Sequence, residues 1–196
     1  MFDWFKKKVV KSSDIKETDN DVVDIKEIED NVNNYNIEHY FTIEINNSPF
    51  LKKDSQQIVM KHLLGEYNIV KTNNKLSVEE KKLLGINTRL SITKELVNVL
   101  NEEGLKQPDP KIILSDIWNR STITKSKWDQ YNKSKRVMPD VKFNLVSSGG
   151  GMGDCEWCQT RQKKKYLSEE DILFFLENKC ECKPYSYSFM VPIIKV

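Results

Sequence analysis

The chain has 196 residues, with 31 Lys+Arg against 29 Asp+Glu and a formal charge of +2. That near-balance excludes a protein built around one large electrostatic footprint on nucleic acid, and seven glycines and six prolines exclude a collagen-like or linker-dominated chain. With 38% apolar and 31% charged residues, and no apolar run near the ~18 residues a spanning helix needs, the length fits one domain with an appendage or two very small ones.

The N-terminus places Phe2, Trp4 and Phe5 ahead of three lysines, Lys6 to Lys8. A secretory signal puts its charges first and a longer apolar run after them, so export by that route is not expected. One aromatic turn is too short for stable membrane binding. The expectation is an anchor that plugs a groove on a protein partner or on the parent domain. Residues 11–38 carry nine acidic and three basic side chains and five asparagines. Such a stretch reads as an arm or linker, with Val22, Val23, Ile25, Ile28 and Val32 able to line a helix formed on a partner.

From His39 to Asn46 the chain alternates, Phe41, Ile43 and Ile45 against Tyr40, Thr42 and Glu44, which predicts a half-buried strand opened by His39. Helices follow. Asp54 and Gln57 predict a capping box for the first, ended by Gly65. Ser77 and Glu80 repeat the device before Gly85. Ser91 opens a third helix, with Ile92, Leu96, Val99 and Leu100 as its stripe and Gly104 at its end. Asp109-Pro110 starts a fourth that carries Ile113, Leu114 and Ile117, and a separate fifth spans about 123–134. Val141 to Val146 alternates as a second strand.

His62, four residues after Ile58, reads as a structural histidine at the core edge. Two histidines far from each other and from the cysteines make a poor acid–base pair. Between Arg120 and Arg136 the chain holds Lys125, Lys127, Lys133 and Lys135 with Trp118, Trp128 and Tyr131 interleaved. These residues could track a phosphate backbone and stack bases. The preferred reading is a solvated helix face with its aromatics in the core.

All four cysteines fall near the C-terminus, as Cys155-Glu-Trp-Cys158 and, after 21 intervening residues, Cys180-Glu-Cys182. Two short Cys loops supply the four soft, tetrahedral ligands of a structural zinc ion. A chain with no export signal keeps its thiols reduced, and a disulfide inside Cys180-Glu-Cys182 would be strained. Disulfide pairing, an iron–sulfur cluster and free thiols are the alternatives. Four of the seven glycines lie at 149–153, with no Lys-Ser/Thr after them to make a phosphate cradle. Arg161, Lys163, Lys164, Lys165, Lys179 and Lys183 can balance the −2 left by four thiolates and one divalent ion. Ser168 caps a helix expected to pack Leu173, Phe174 and Leu176 on the body, and Tyr185 to Val196 reads as a last strand or extended tail. With four cysteines and no histidine nearby the site looks closed, which suits structure and not hydrolysis.

The order Val141–Val146, Asp154-Cys155-Glu-Trp-Cys158, Asn178-Lys179-Cys180-Glu-Cys182 and Val191-Pro192 resembles the C-terminal module of the Mu-type phage minor head (head-morphogenesis) proteins. The resemblance covers about 60 residues and implies a virion-associated or phage-derived assembly protein without a catalytic residue.

The expected fold is α+β, a mostly helical body with a small sheet and a C-terminal module stapled by a four-cysteine zinc site. The expected divisions are an arm (1–38), a body (39–148) and a zinc module packed on it (149–196). The expected function is non-enzymatic assembly through protein contacts, in the cytoplasm or a virion. Cys155, Cys158, Cys180 and Cys182 are the expected metal ligands, and Phe2, Trp4 and Phe5 the partner contacts. The alternative is nucleic-acid binding through 120–136 (Lys125, Lys127, Lys133, Lys135, Arg136) and 161–165.

Overall fold

The computed structural model describes residues 36–147, 153–182, 186 and 188–194. The anchor residues Phe2, Trp4 and Phe5, the acidic arm as far as residue 35, most of the glycine run and Lys183 lie outside the described residues.

Ile37–Asn47 forms a helix, α1, and not the strand that its alternation predicts. Two periods compete here, because Ile37, Phe41 and Ile45 also recur every four residues. Asn36 tips the balance locally, its side chain accepting from the His39 N–H at 3.2 Å. Packing completes the choice: as a helix the segment buries Tyr40, Phe41 and Ile45 together, and of its large apolar side chains only Ile43 is substantially exposed. His39 therefore sits in a first helical turn, and the acidic arm drawn to residue 38 overlaps that turn.

Helix α2 (Gln56–Leu63) starts at Ser55 with no side-chain cap bond, so the Asp54–Gln57 box does not form. Ser55 instead donates to the Lys52 carbonyl at 2.6 Å. Gly65 ends the turn at φ +80°, as a left-handed C-terminal glycine should. Helix α3 (Val78–Leu83) has the full Ser77–Glu80 capping box and stops at Gly85 with φ +67°. The cap of α4 (Lys94–Val99) is Thr93, not Ser91. Its hydroxyl accepts from the Leu96 N–H and donates to the Ile69 carbonyl. Ser91 and Ile92 stay outside the helix, where the Ile92 carbonyl accepts from Leu76 N–H at 2.9 Å. Gly104 does not end α4. It lies inside a short helix, α5 (Glu102–Leu105), where a Cβ would stand 2.5 Å from the Phe50 carbonyl oxygen.

The fourth and fifth predicted helices are one, α6 (Ile112–Val137), 26 residues and about 39 Å long. The low-propensity run Ser121-Thr122-Ile123-Thr124 suggests a break. The chain passes through it because the hydroxyls bond back to the helix: Thr122 to the Trp118 carbonyl at 2.9 Å and Thr124 to Arg120 at 2.8 Å. Ser121 and Thr124 are also buried, where larger side chains would need more room.

Two apolar cores flank that small-residue stretch. The first gathers Phe41, Ile45, Val59, Ile69, Ile92, Leu96, Leu100 and the start of α6 through Ile113, Leu114 and Ile117. An Arg120–Glu44 ion pair at 2.8 Å ties α6 to α1 beside it. The second core lies beyond α6. Strand β1 (Lys142–Ser147) pairs antiparallel with β2 (Ser188–Ile193), Leu145 opposite Met190. Between them run α7 (Glu156–Gln162) and α8 (Glu169–Leu176). Val141, Phe143 and Leu145, placed in the helical body by their position before residue 148, pack here with Cys158, Cys182, Ile172, Phe175, Leu176 and Met190. Trp128 and Tyr131 of α6 cover the same core, so the long helix contributes to both. No helix among the described residues is long and apolar enough to cross a membrane.

Candidate metal centre

Each cysteine is positioned by a local feature of the backbone. Cys155 is the N-terminal boundary residue of α7 and Cys158 lies in that helix's first turn. A Cys-x-x-Cys spanning a helix start brings two sulfurs to one side near free backbone N–H groups. The other pair arrives after α8, whose end is a Schellman turn. Asn178 adopts φ +58°, its N–H donates to the Phe175 carbonyl at 3.2 Å and the Lys179 N–H donates to Phe174 at 3.1 Å. Asparagine tolerates that left-handed geometry better than other non-glycine residues. The turn reverses the chain and sends Cys180 and Cys182 back toward α7.

The four Sγ atoms all lie within 4.8 Å of one another, and all four cysteines are free thiols. Cys182 Sγ is 3.6 Å from Cys158 Sγ and accepts the Cys155 backbone N–H at 3.2 Å. An ion with zinc–sulfur bonds of about 2.3 Å has tetrahedral S···S edges of roughly 3.8 Å. The donor set fits one such ion. Cys158 and Cys182 are buried, Cys155 and Cys180 half-buried. The Cys180 thiol is held low by the hydrogen bond from Cys158, helped by the Cys182 backbone N–H and the Lys127 charge. Cys158 is pushed up by the same shared proton and by burial. A cluster already polarised toward thiolate is suited to a cation.

Residues that carry no sequence signal hold the loops. Asp154 is buried; its carboxylate accepts from Gln162 Nε2 at 2.8 Å, and its carbonyl accepts from Gln159 Nε2 at 2.8 Å. Gln162 also donates to Ser188 at 3.0 Å, joining α7 to β2. Ser186 Oγ lies 3.7 Å from Cys158 Sγ. Among the described residues the group contains cysteines only, with no histidine or carboxylate.

The flanking cations are not arranged as their sequence positions imply. Arg161 and Lys164 both clasp Asp171, at 2.9 and 2.8 Å, and Lys179 pairs with Glu177; Lys163 and Lys165 are exposed. The cation whose charge acts on the cysteines is Lys127, 7% exposed on α6. Burial pulls its pKa down while the charges of Cys180, Cys158 and Cys182 push it back up. Lys127 is therefore not available to a nucleic-acid phosphate. Of the other basic candidates on α6, Lys125 pairs with Asp129 at 2.6 Å and Lys135 donates to the Pro139 carbonyl at 2.8 Å, leaving Lys133 and Arg136 outside the second core. On α8 the inward residues are Ile172, Phe175 and Leu176. Leu173 is 43% exposed, and Phe174 stacks at 4.7 Å on Trp157 of α7 instead of on the helical body.

The Asp171 clamp has a testable pH signature. Burial raises its pKa, but bonds from Lys164, Arg161 and Ser168 outweigh that and hold it at about 2. A depressed carboxylate stabilises the fold above its unfolded value of about 3.9, and the contribution fades as pH falls toward 2. The stability difference between wild type and Asp171→Asn should be about 2 kcal/mol above pH 5 and shrink toward zero near pH 2. Comparing the two proteins cancels the proton competition at cysteines that both share. A gap that does not change with pH would mean the ion pairs contribute nothing.

His62 faces the Tyr67 carbonyl at 3.3 Å, and burial lowers its pKa against that bond. It lines a surface cleft of about 370 Å³ with Lys111, Leu114, Ser115 and Trp118, which offers it no acidic partner. No family model matches the chain, and no curated protein or solved structure matches it either.

Proposed function

We propose that the four cysteines hold one structural zinc ion and that the protein is a non-enzymatic assembly component acting through protein contacts. The observation that carries this reading is the convergence of four sulfurs within 4.8 Å from two segments separated by 21 residues. Four thiolates complete a tetrahedron and leave no open position for a water or substrate, the arrangement of structural rather than catalytic zinc. The compact sulfur set favours one ion over a polynuclear iron–sulfur cluster, whose bridging atoms need ligands further apart. The centre also sits where a staple is useful: it joins α7, the end of α8 and the segment leading into β2.

A role in a virion or a phage-derived assembly is supported by the likeness of the Cys-x-x-Cys and Cys-x-Cys segments to the minor head proteins. Phe2, Trp4 and Phe5 are the residues we assign to partner contact, because aromatic clusters anchor interfaces. Nucleic-acid binding through 120–136 is disfavoured by the buried Lys127 and by Trp128 and Tyr131 packing in the second core.

Native mass spectrometry and elemental analysis of the full chain, purified under inert gas without added reductant, should find about one zinc per chain. A metal-free protein two or four mass units light, hence disulfide-bonded, would end this reading. Stoichiometric iron would replace zinc with another thiolate-bound metal.

A further inference from the structure

Lys127 is an uncommon residue to find where it is. Lysines are rarely buried without a partner, yet this one is 7% exposed and no carboxylate among the described residues lies in ion-pair range of it. Its ammonium is 3.2 Å from Asn178 Oδ1 and 3.9 Å from the centroid of the Phe175 ring. Both contacts come from the end of α8, within the five residues that precede Cys180. The Asn178 side chain contributes a second feature: its Nδ2 is buried with no acceptor among the described residues. A buried cation thus sits on the turn that leads into Cys180, over a core that Cys158 and Cys182 share. The charges of Cys180, Cys158 and Cys182 act on the ammonium.

We infer that Lys127 is a positioning residue for the cysteine centre, a cation built into α6 that offsets part of the negative charge four thiolates retain around a divalent ion. This inference rests on the metal reading proposed above. Four thiolates and one divalent cation carry −2, and in a partly apolar surrounding that excess is unfavourable unless a cation or N–H groups face it. Lys127 reduces the excess by one, and the Asn178 side-chain oxygen holds its ammonium in place. Since Lys127 is rooted in the helix that also serves the first core, it links metal occupancy to the helical body. Such a link would not arise from the surface lysines that flank the cysteines in sequence.

The test compares wild type with Lys127→Met, an uncharged side chain of similar length, using the full reduced chain and Co²⁺ as the probe. Co²⁺ affinity, read from its visible and sulfur charge-transfer bands, should fall about 10–100-fold in the variant, the usual cost of losing an outer partner. The metal-free variant should melt at the same temperature as metal-free wild type, because without the ion the core that buries Lys127 is expected to unravel and release the lysine to water. A loss confined to the loaded form is what a merely structural lysine would not give. Equal Co²⁺ affinity in the two proteins, or a metal-free variant that no longer folds, overturns the inference while leaving the metal centre standing. A wild-type chain that yields no thiolate-bound Co²⁺ spectrum removes the metal centre and this inference together.

Discussion

Removing the metal with a chelator, or replacing Cys180 with Ser, is expected to unravel the second core and spare the first. Hydrogen exchange should become fast over Lys142–Ser147, Glu156–Gln162, Glu169–Leu176 and Ser188–Ile193. Protection should persist in α1, α2, α4 and the N-terminal part of α6. The effect is large because Cys158 and Cys182 are themselves members of the second core, so the proposed ligands are also packing residues. Binding energy at such a site is folding energy, on the order of 10 kcal/mol for structural zinc in small domains. The remaining second core cannot replace that with a two-stranded sheet and two helices of seven and eight residues. The boundary should fall in α6 near Ser121–Thr124, between the residues that serve the two cores. Uniform loss of protection along the whole chain would show one cooperative unit, and unchanged protection would show that the sulfurs need no ion.

Phe175→Ala is expected to cost about 3–5 kcal/mol, measured as a shift of the denaturant midpoint at constant slope. Phe175 is fully buried, and its ring also lies under the Lys127 ammonium, so the substitution removes both packing and a cation–π contact. Leu173→Ala, two residues away, should change stability by no more than about 0.5 kcal/mol, since that side chain is 43% exposed. The pair is a sharp comparison because sequence position alone places Leu173 against the body. If Leu173→Ala were the more damaging change, α8 would have to present its other face to the core.

What the amino-acid sequence determines by itself is local. The Ser77–Glu80 and Ser168 starts and the stops at Gly65 and Gly85 depend on contacts within three or four residues, and the strand near 142–146 announces itself by its own alternation, so all are legible. The four cysteines are legible too, because few chemistries need four sulfurs at those spacings. The α+β class follows from counting such elements. Other features depend on what lies across the fold. The stretch 39–46 carries both periods, and burial against α2 and α6 selects the helix. Thr93 displaces Ser91 as a cap because the Ile69 carbonyl is there to receive its hydroxyl. The break expected between two helices vanishes because hydroxyls that could compete with the backbone bond back to it, within one continuous helix that serves two cores. The site shows the same division. Its four cysteines are read from the sequence, whereas the lysine proposed to face them is not: Lys127 stands 28 residues before the first cysteine, amid other lysines. Only the packing of α6 on the end of α8 removes it from water and sets it against Phe175 and Asn178, because electrostatic interaction acts through space and leaves no mark on spacing along the chain.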